Sequence, residues 1–255
     1  MSDTLVIRKC SGVEEFQKCV ELQKDVWNFS DIDVVPLRMF VVAEKIGGQI
    51  IGTFEGQDLV GFALAIPGSR NGHPYLHSHM LAVRESHRNA GLGRRMKLAQ
   101  RDDGLERGFE LIEWTFDPLE IKNAYLNIER LGAIARRYTI NQYGMSSSPL
   151  QGGLPTDRLI AEWWIKSKRV EELVNSGKLP QYKTMLSVEI PGKIYGWKAS
   201  PTDRKKAADV QLRNREALLK AFDEDLAVLR YERGADGNGK FLLGRWDEDW
   251  SYATQ

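Results

Sequence analysis

The sequence predicts an α/β fold built on one mixed sheet, followed by a second α/β segment. Three observations carry this expectation. Two β-rich runs flank Gly56-Gln57-Asp58, the pattern of an antiparallel hairpin. A strand, a glycine loop and a helix then succeed one another between residues 75 and 107, the opening of a strand-helix-strand unit. The chain has 255 residues, 42% of them hydrophobic, which is ample for a large buried core.

Residues 5–8, Leu-Val-Ile-Arg, read as a first strand, and Val13, Phe16, Val20 and Trp27 recur at helical spacing, giving an amphipathic helix over 12–28. Residues 49–55 and 59–66 are the hairpin strands. A loop is expected over 67–74, a strand over 75–83, and a helix over 92–107 that Gly108 ends. A strand over 109–116, a helix over 119–131 and a strand over 133–138 complete the order β α β β β α β α β. Antiparallel strands early and a strand-helix-strand unit later imply a mixed sheet with helices on both faces, not a doubly wound parallel one. Residues 145–155, MSSSPLQGGLP, are rich in Ser, Gly and Pro and read as a linker or exposed loop. The boundary is placed there, with a core over 1–148 and a C-terminal α/β extension over 149–255. The extension is expected to hold a helix over 158–174, a strand over 185–190, a helix over 202–222 and two strands flanking 234–239. It also holds Trp163, Trp164, Trp197, Trp246 and Trp250, five of the seven tryptophans, so it is packed structure.

With 36 Lys+Arg against 35 Asp+Glu the formal net charge is +1, so no overall charge draws the chain to nucleic acid or to an anionic membrane. Any anion site must be local. Cys10 and Cys19 are too few for a disulfide framework and suit a reducing compartment. The first residues, MSDTLVIRKCSG, lack the cationic start and long apolar run of a signal peptide, and no run approaches membrane-spanning length. A cytoplasmic protein is expected.

The anion site is the loop Arg88-Asn89-Ala90-Gly91-Leu92-Gly93, set between a strand and a helix. There the first helical N–H groups have no partner and the helix dipole favours negative charge. Arg88, Arg94 and Arg95 add positive charge that suits a pyrophosphate. A Walker A loop is excluded, because Gly93 is followed by Arg94 and Arg95 instead of Lys-Ser/Thr. A dinucleotide fingerprint lacks its third glycine, where Met96 stands. The plain alternative is a helix entry whose glycines only permit a tight turn.

Residues 81–93, LAVRESHRNAGLG, together with the element order, resemble the GNAT superfamily of acyl-CoA-dependent N-acyltransferases over about residues 5–144. The resemblance implies the GNAT fold with a C-terminal α/β extension, and acetyl-CoA or another acyl-CoA as co-substrate. It implies that Arg88, Asn89, Ala90, Gly91, Leu92, Gly93 and Arg94 hold the CoA pyrophosphate. Leu81 and Val83 would line the pantetheine and acyl arm, and Asn123 or Asn127 would hydrogen-bond it. The long C-terminal half resembles that of a bacterial subset of predicted acetyltransferases, through Phe116-Asp117-Pro118 and Asp157-Arg158-Leu159 with Trp163-Trp164.

Attack of an amine on a thioester needs a neutral amine, stabilisation of the developing oxyanion and a proton for the thiolate. All four histidines, His73, His77, His79 and His87, cluster around the strand before the glycine loop. The period of two puts His77 and His79 on one face. In relatives with a carboxylate base on this strand, the base lies six residues before the position of Val83, which here is His77. His77 is thus the first candidate base and His79 the second, against the plain reading of ordinary packed or surface histidines. Glu113, Thr115 and Asp117 alternate along the next strand; Asp117 is a candidate for catalysis and equally for a helix cap, since Pro118 follows it. The family's acid is a tyrosine in Asn-x-x-Ala-x-x-Leu-Tyr-x-x-x-Gly. Counting back from Gly132, Ala124 is in register but Ile128 stands in the tyrosine's place, so Tyr125 becomes the substitute. The expected acceptor is a primary amine of a small molecule, an amino acid being one choice, with no nucleic acid, membrane or metal involved. Two other functions remain open: an acyl-CoA-binding sensor without chemistry, and a zinc hydrolase using His77 and His79 with Glu113 or Asp117.

Overall fold

A computed structural model describes residues 5–144 and 151–252. The chain packs as two compact units, Met1–Glu113 with Tyr252–Gln255, and Trp114–Ser251. The domain boundary expected at 148/149 lies outside the described residues.

In the first unit the sheet order is β1 (Val6–Lys9), β2 (Gln49–Glu55), β3 (Asp58–Arg70), β4 (His73–Val83), then β5 (Leu111–Phe116), whose last three residues belong to the second unit. The first four strands are antiparallel in turn, and β5 runs parallel to β4. Helix α1 (Gly12–Trp27) buries Phe16, Cys19 and Leu22 on one stripe, and Asn28 closes it in the left-handed region with its N–H on the Lys24 carbonyl. A helix that the sequence pattern did not suggest, α2 (Leu37–Lys45), adds Phe40 and Ala43. Its run LRMFVVAEK is apolar almost all round, so no helical stripe stands out from the sequence. These side chains meet Phe54, Phe62 and Leu64 of the sheet in one core cluster. Helix α3 (Leu92–Glu106) contributes Leu92, Met96 and Gln100, and Gly108 follows with φ +81°.

The loop expected over 67–74 is instead strand. β3 runs to Arg70, β4 starts at His73, and Asn71 (φ 50°) and Gly72 (φ 82°) form a two-residue turn of the kind Asn-Gly favours. Pro67 hid the strand, since proline cannot donate to a ladder. Here it lies beyond Ala65, the last β3 residue paired with β2, so that side needs no donor.

In the second unit, β6 (Tyr138–Thr139) pairs with β7 (Arg158–Trp164), and the rest of the strand expected over 133–138 reduces to single bridges, Ile134 to Glu162 and Ala135 to Val228. The helix expected over 158–174 is also corrected. Its first part is β7, and only α5 (Lys168–Ser176) is helical, capped by the Ser167 hydroxyl. Residues 159–164 are buried on both faces, and a run that is apolar except for Glu162 does not distinguish a buried strand from a buried helix. The helix expected over 119–131 is α4 (Ile121–Tyr125) followed by a π-helical turn, Leu126–Arg130. Arg169 is fully buried and donates to the carbonyls of Ile128, Gly132 and Leu229, one of them in this turn, where wider winding leaves carbonyls free, and one just past it. A short helix not foreseen, α6 (Ile194–Ala199), precedes α7 (Arg204–Asp223), and β8 (Leu186–Ile190), β9 (Leu226–Arg233) and β10 (Gly239–Arg245) form a separate antiparallel sheet ordered β8-β10-β9. Trp163 and Trp164 are buried, and Trp197, Trp246 and Trp250 are half-buried. No helix of the described residues is long and apolar enough to cross a membrane.

Candidate functional site

A short turn, Glu85–His87, brings the chain off β4 into the glycine loop. Asn89 (φ 65°) and Gly91 (φ 75°) are both left-handed, and Gly91 caps α3. The first bond within the helix is from the Arg95 N–H to the Gly91 carbonyl, 3.1 Å, so the amides of Leu92 and Gly93 find no carbonyl inside the helix. A Cβ built on Gly91 would meet no atom within 4 Å. The loop therefore offers backbone donors, a helix N-terminus and open space, the requirements for seating a pyrophosphate. Arg88, Asn89, Ala90 and Gly91 are exposed, Gly93 and Arg94 half-buried, and Leu92 anchors the loop in the core. The Arg88 side chain turns back: its Nε lies 3.1 Å from the Val83 carbonyl and its Nη2 3.5 Å from that of Val26.

β4 pairs with β5 at Leu76–Ile112 and His77–Glu113 and continues past His77 to Val83. Opposite, the β3 register slips: Leu64 faces Met80 but Ala65 faces Ser78, leaving His79 as the extra residue of a bulge. The bulge has a consequence that strict alternation misses. His77, paired with Ile66, shares a face with Met80 and Ala82, whereas Leu81 and Val83 point to the face where Ser78 meets α3. Leu81 and Val83 are half-buried there.

The rings of His77 and His79 come within 6.2 Å of each other. Burial pushes the His77 imidazole below its usual pKa, His79 beside it pushes the same way, and the Glu113 carboxylate opposes both. His77 is thus a neutral imidazole at pH 7. The same desolvation lowers His79, but that residue is exposed and solvent weakens the effect. Glu113 is buried, with Arg70 Nη2 2.6 Å from its Oε1. The other two histidines are engaged elsewhere. His73 stacks on Tyr252 at 4.6 Å, and His87 lies between the Ser86 hydroxyl (2.8 Å) and Glu55 (3.2 Å). Sequence reasoning missed Arg70, although the Asn71-Gly72 turn, correctly read, places Arg70 opposite His73 on the paired strands. It also missed Lys97, fully enclosed beneath β4 with its Nζ 2.7 Å from Ser78 Oγ, which carries no periodic signal of its own. Among the described residues no group of three or more His, Cys, Asp or Glu is placed to hold a metal ion.

The remaining candidates lie in the second unit. Asp117 accepts the Leu119 N–H at 2.8 Å through Oδ1 and the Lys198 ammonium at 3.0 Å through Oδ2. Lys198 is buried and also reaches Glu120 at 2.9 Å; burial lowers its pKa, but the two carboxylates overcome this and raise it. Replacing Asp117 by alanine is expected to destabilise the protein by about 3 kcal/mol, because it removes the acceptor of the Leu119 N–H in the turn before α4 and leaves a buried ammonium with one partner. The urea midpoint reads this directly. Asn123 is exposed and Tyr125 half-buried, with the Arg233 guanidinium 5.6 Å from its ring. Ile128 is fully buried in the π-helical turn, and Asn127 is buried with no partner for its Nδ2.

Residues 13–125 match the model of the Acetyltransferase (GNAT) family. No curated protein matches the sequence. Among solved structures, an N-acetyltransferase from Staphylococcus aureus Mu50 superposes with a TM-score of 0.53 at 13% identity, covering 64% of this chain and 99% of that one. The ribosomal-protein-S18-alanine N-acetyltransferase from Escherichia coli gives 0.52 at 13% identity, covering 64% and 96%. At such identities the likeness is one of fold. The amide-lined loop at the N-terminus of α3 thus stands inside the stretch that matches the GNAT acetyltransferase family, a family that uses acetyl-CoA as co-substrate.

Proposed function

We propose that this protein transfers an acetyl or other acyl group from acyl-CoA to a primary amine of a small molecule, by direct attack of the amine on the thioester. The observation that supports this reading best is the place of His77, a half-buried imidazole with a lowered pKa on β4, the strand that leads into the glycine loop. The loop from Arg88 to Arg94 would hold the pyrophosphate through its amides, and the β4 edge would take the pantetheine arm. His77 would accept the amine proton as the nitrogen bonds to the acyl carbon, with His79 as the second candidate. Asp117, with both oxygens engaged, we read as a structural residue that holds the turn before α4 and pairs Lys198. Tyr125 is the candidate acid in place of Ile128, and a thiolate also leaves unaided to solvent. The chemistry fits a cytoplasmic enzyme.

A matrix of acyl-CoAs against small amines, read by release of CoA thiol, tests the proposal. Turnover with at least one pair is expected. Tight CoA binding with no thiol release from any pair would instead favour a sensor. The pH dependence follows from the lowered pKa of His77. As pH falls through that pKa the ring gains a proton and stops accepting one, so kcat/KM should decline only below about pH 6.5. An acidic limb centred above that value would contradict the assignment.

A further inference from the structure

The proton acceptor has a neighbour whose position is more specific than a stabilising ion pair requires. Glu113 stands directly across from His77 in the β4–β5 register, and Ile66 stands across from His77 on the β3 side. Residues directly opposite in a sheet send their side chains to the same face, with Cβ atoms about 5 Å apart. Ile66, His77 and Glu113 therefore form one row across the sheet. Arg70 lies four residues beyond Ile66 on β3, an even step that keeps it on that face. Its guanidinium holds the Glu113 carboxylate at 2.6 Å and lies 4.9 Å from the centre of the Tyr75 ring. Glu113 is 5% exposed, and a carboxylate so enclosed is retained only with a partner. One oxygen, Oε1, is held by Arg70, and the carboxylate is near enough to His77 to act on its charge.

We propose that Glu113, anchored by Arg70, is a positioning residue for His77: it orients the imidazole on β4 and stabilises the imidazolium formed when the acceptor amine gives up its proton. The inference rests on the acyl-transfer reading above and assigns a part of the site that this reading leaves unused. In the step concerned, the amine nitrogen bonds to the acyl carbon and its proton goes to His77. The C–S bond breaks with its electron pair on sulfur, and His77 then passes the proton to thiolate or solvent. A neighbouring carboxylate favours the charged ring. The other charged groups that act most strongly on His77, His79, Arg70 and, from beneath the sheet, Lys97, all oppose that charge, whereas Glu113 supports it.

The test is the titration of the His77 ring by NMR, alongside the pH profile of kcat/KM, in the wild type, Glu113→Gln and Glu113→Asp. In Glu113→Gln the His77 titration should move to lower pH by about one unit, since a supporting negative charge is lost. The acidic limb of kcat/KM should move with it, and kcat should fall about tenfold at unchanged CoA affinity. Glu113→Asp should restore most of the titration. Glu113→Gln leaves Arg70 unpaired, so the double variant Arg70→Met/Glu113→Gln guards against a folding defect. Its His77 titration should also fall, by less, because an opposing charge goes too. An unmoved titration in both variants would overturn the proposal, as would a titration that moves while the rate profile stays put. The wild type releasing no thiol from any acyl-CoA and amine pair would instead sink the acyl-transfer reading, whereas turnover with an unshifted limb would sink this inference alone.

Discussion

Gly91→Glu is expected to reduce CoA affinity by at least about 100-fold, measured by calorimetry, while the protein stays folded. The residue caps α3 with φ 75°, which costs any L side chain about 1 kcal/mol. That strain alone is modest. The larger effect comes from the direction of the new side chain. Since a Cβ at this position meets nothing within 4 Å, the side chain enters the open space over the helix N-terminus, not the protein interior. Its carboxylate would take the backbone donors meant for the ligand and repel phosphate. Losing two charge-assisted hydrogen bonds costs about 3 kcal/mol or more, which is the 100-fold. Gly91→Ala separates the two contributions, because it carries the strain without the charge and should weaken CoA by less than about tenfold. Unchanged affinity in the glutamate variant would refute the loop as the pyrophosphate seat.

His77→Ala is expected to lower the rate at saturating amine by about 100-fold or more, with CoA affinity unchanged. The separation of the two quantities is the diagnostic part. His77 lies on the face of the sheet opposite to Leu81 and Val83, so its loss should leave the seat of the pantetheine arm intact. His79→Ala, removing the exposed residue of the bulge, should cost much less. If the rate of His77→Ala stays within about twofold of wild type, well below what a general base contributes, the proton is taken by another group. A larger loss in His79→Ala than in His77→Ala would exchange the two roles.

Much of the first unit was legible in the sequence because its signals are local. The helix over α1, the hairpin at Gly56, the strand into the glycine loop and the stop at Gly108 each depend on periodicity or on one residue's backbone freedom. The misreadings have physical causes of the same order. Pro67 argued for a loop, yet it sits where β3 no longer needs a donor toward β2. The apolar run at 159–164 fits a buried strand as well as a helix, and only packing on both faces distinguishes them.

For the site, the sequence by itself determined the anion loop, because glycines, arginines and a strand-to-helix junction are all encoded within thirteen consecutive residues. It also determined that histidines cluster on the strand before that loop. Only the tertiary structure decided where each of them sits. The bulge at His79 turns His77 to the face opposite Leu81 and Val83, and the short β4–β5 pairing puts Glu113 beside it. Arg70 joins them from across a hairpin, and Lys198 occupies Asp117 from a distant helix. These are pairings between residues far apart in the chain. Register and burial set them, and neither is a property of any short stretch of sequence.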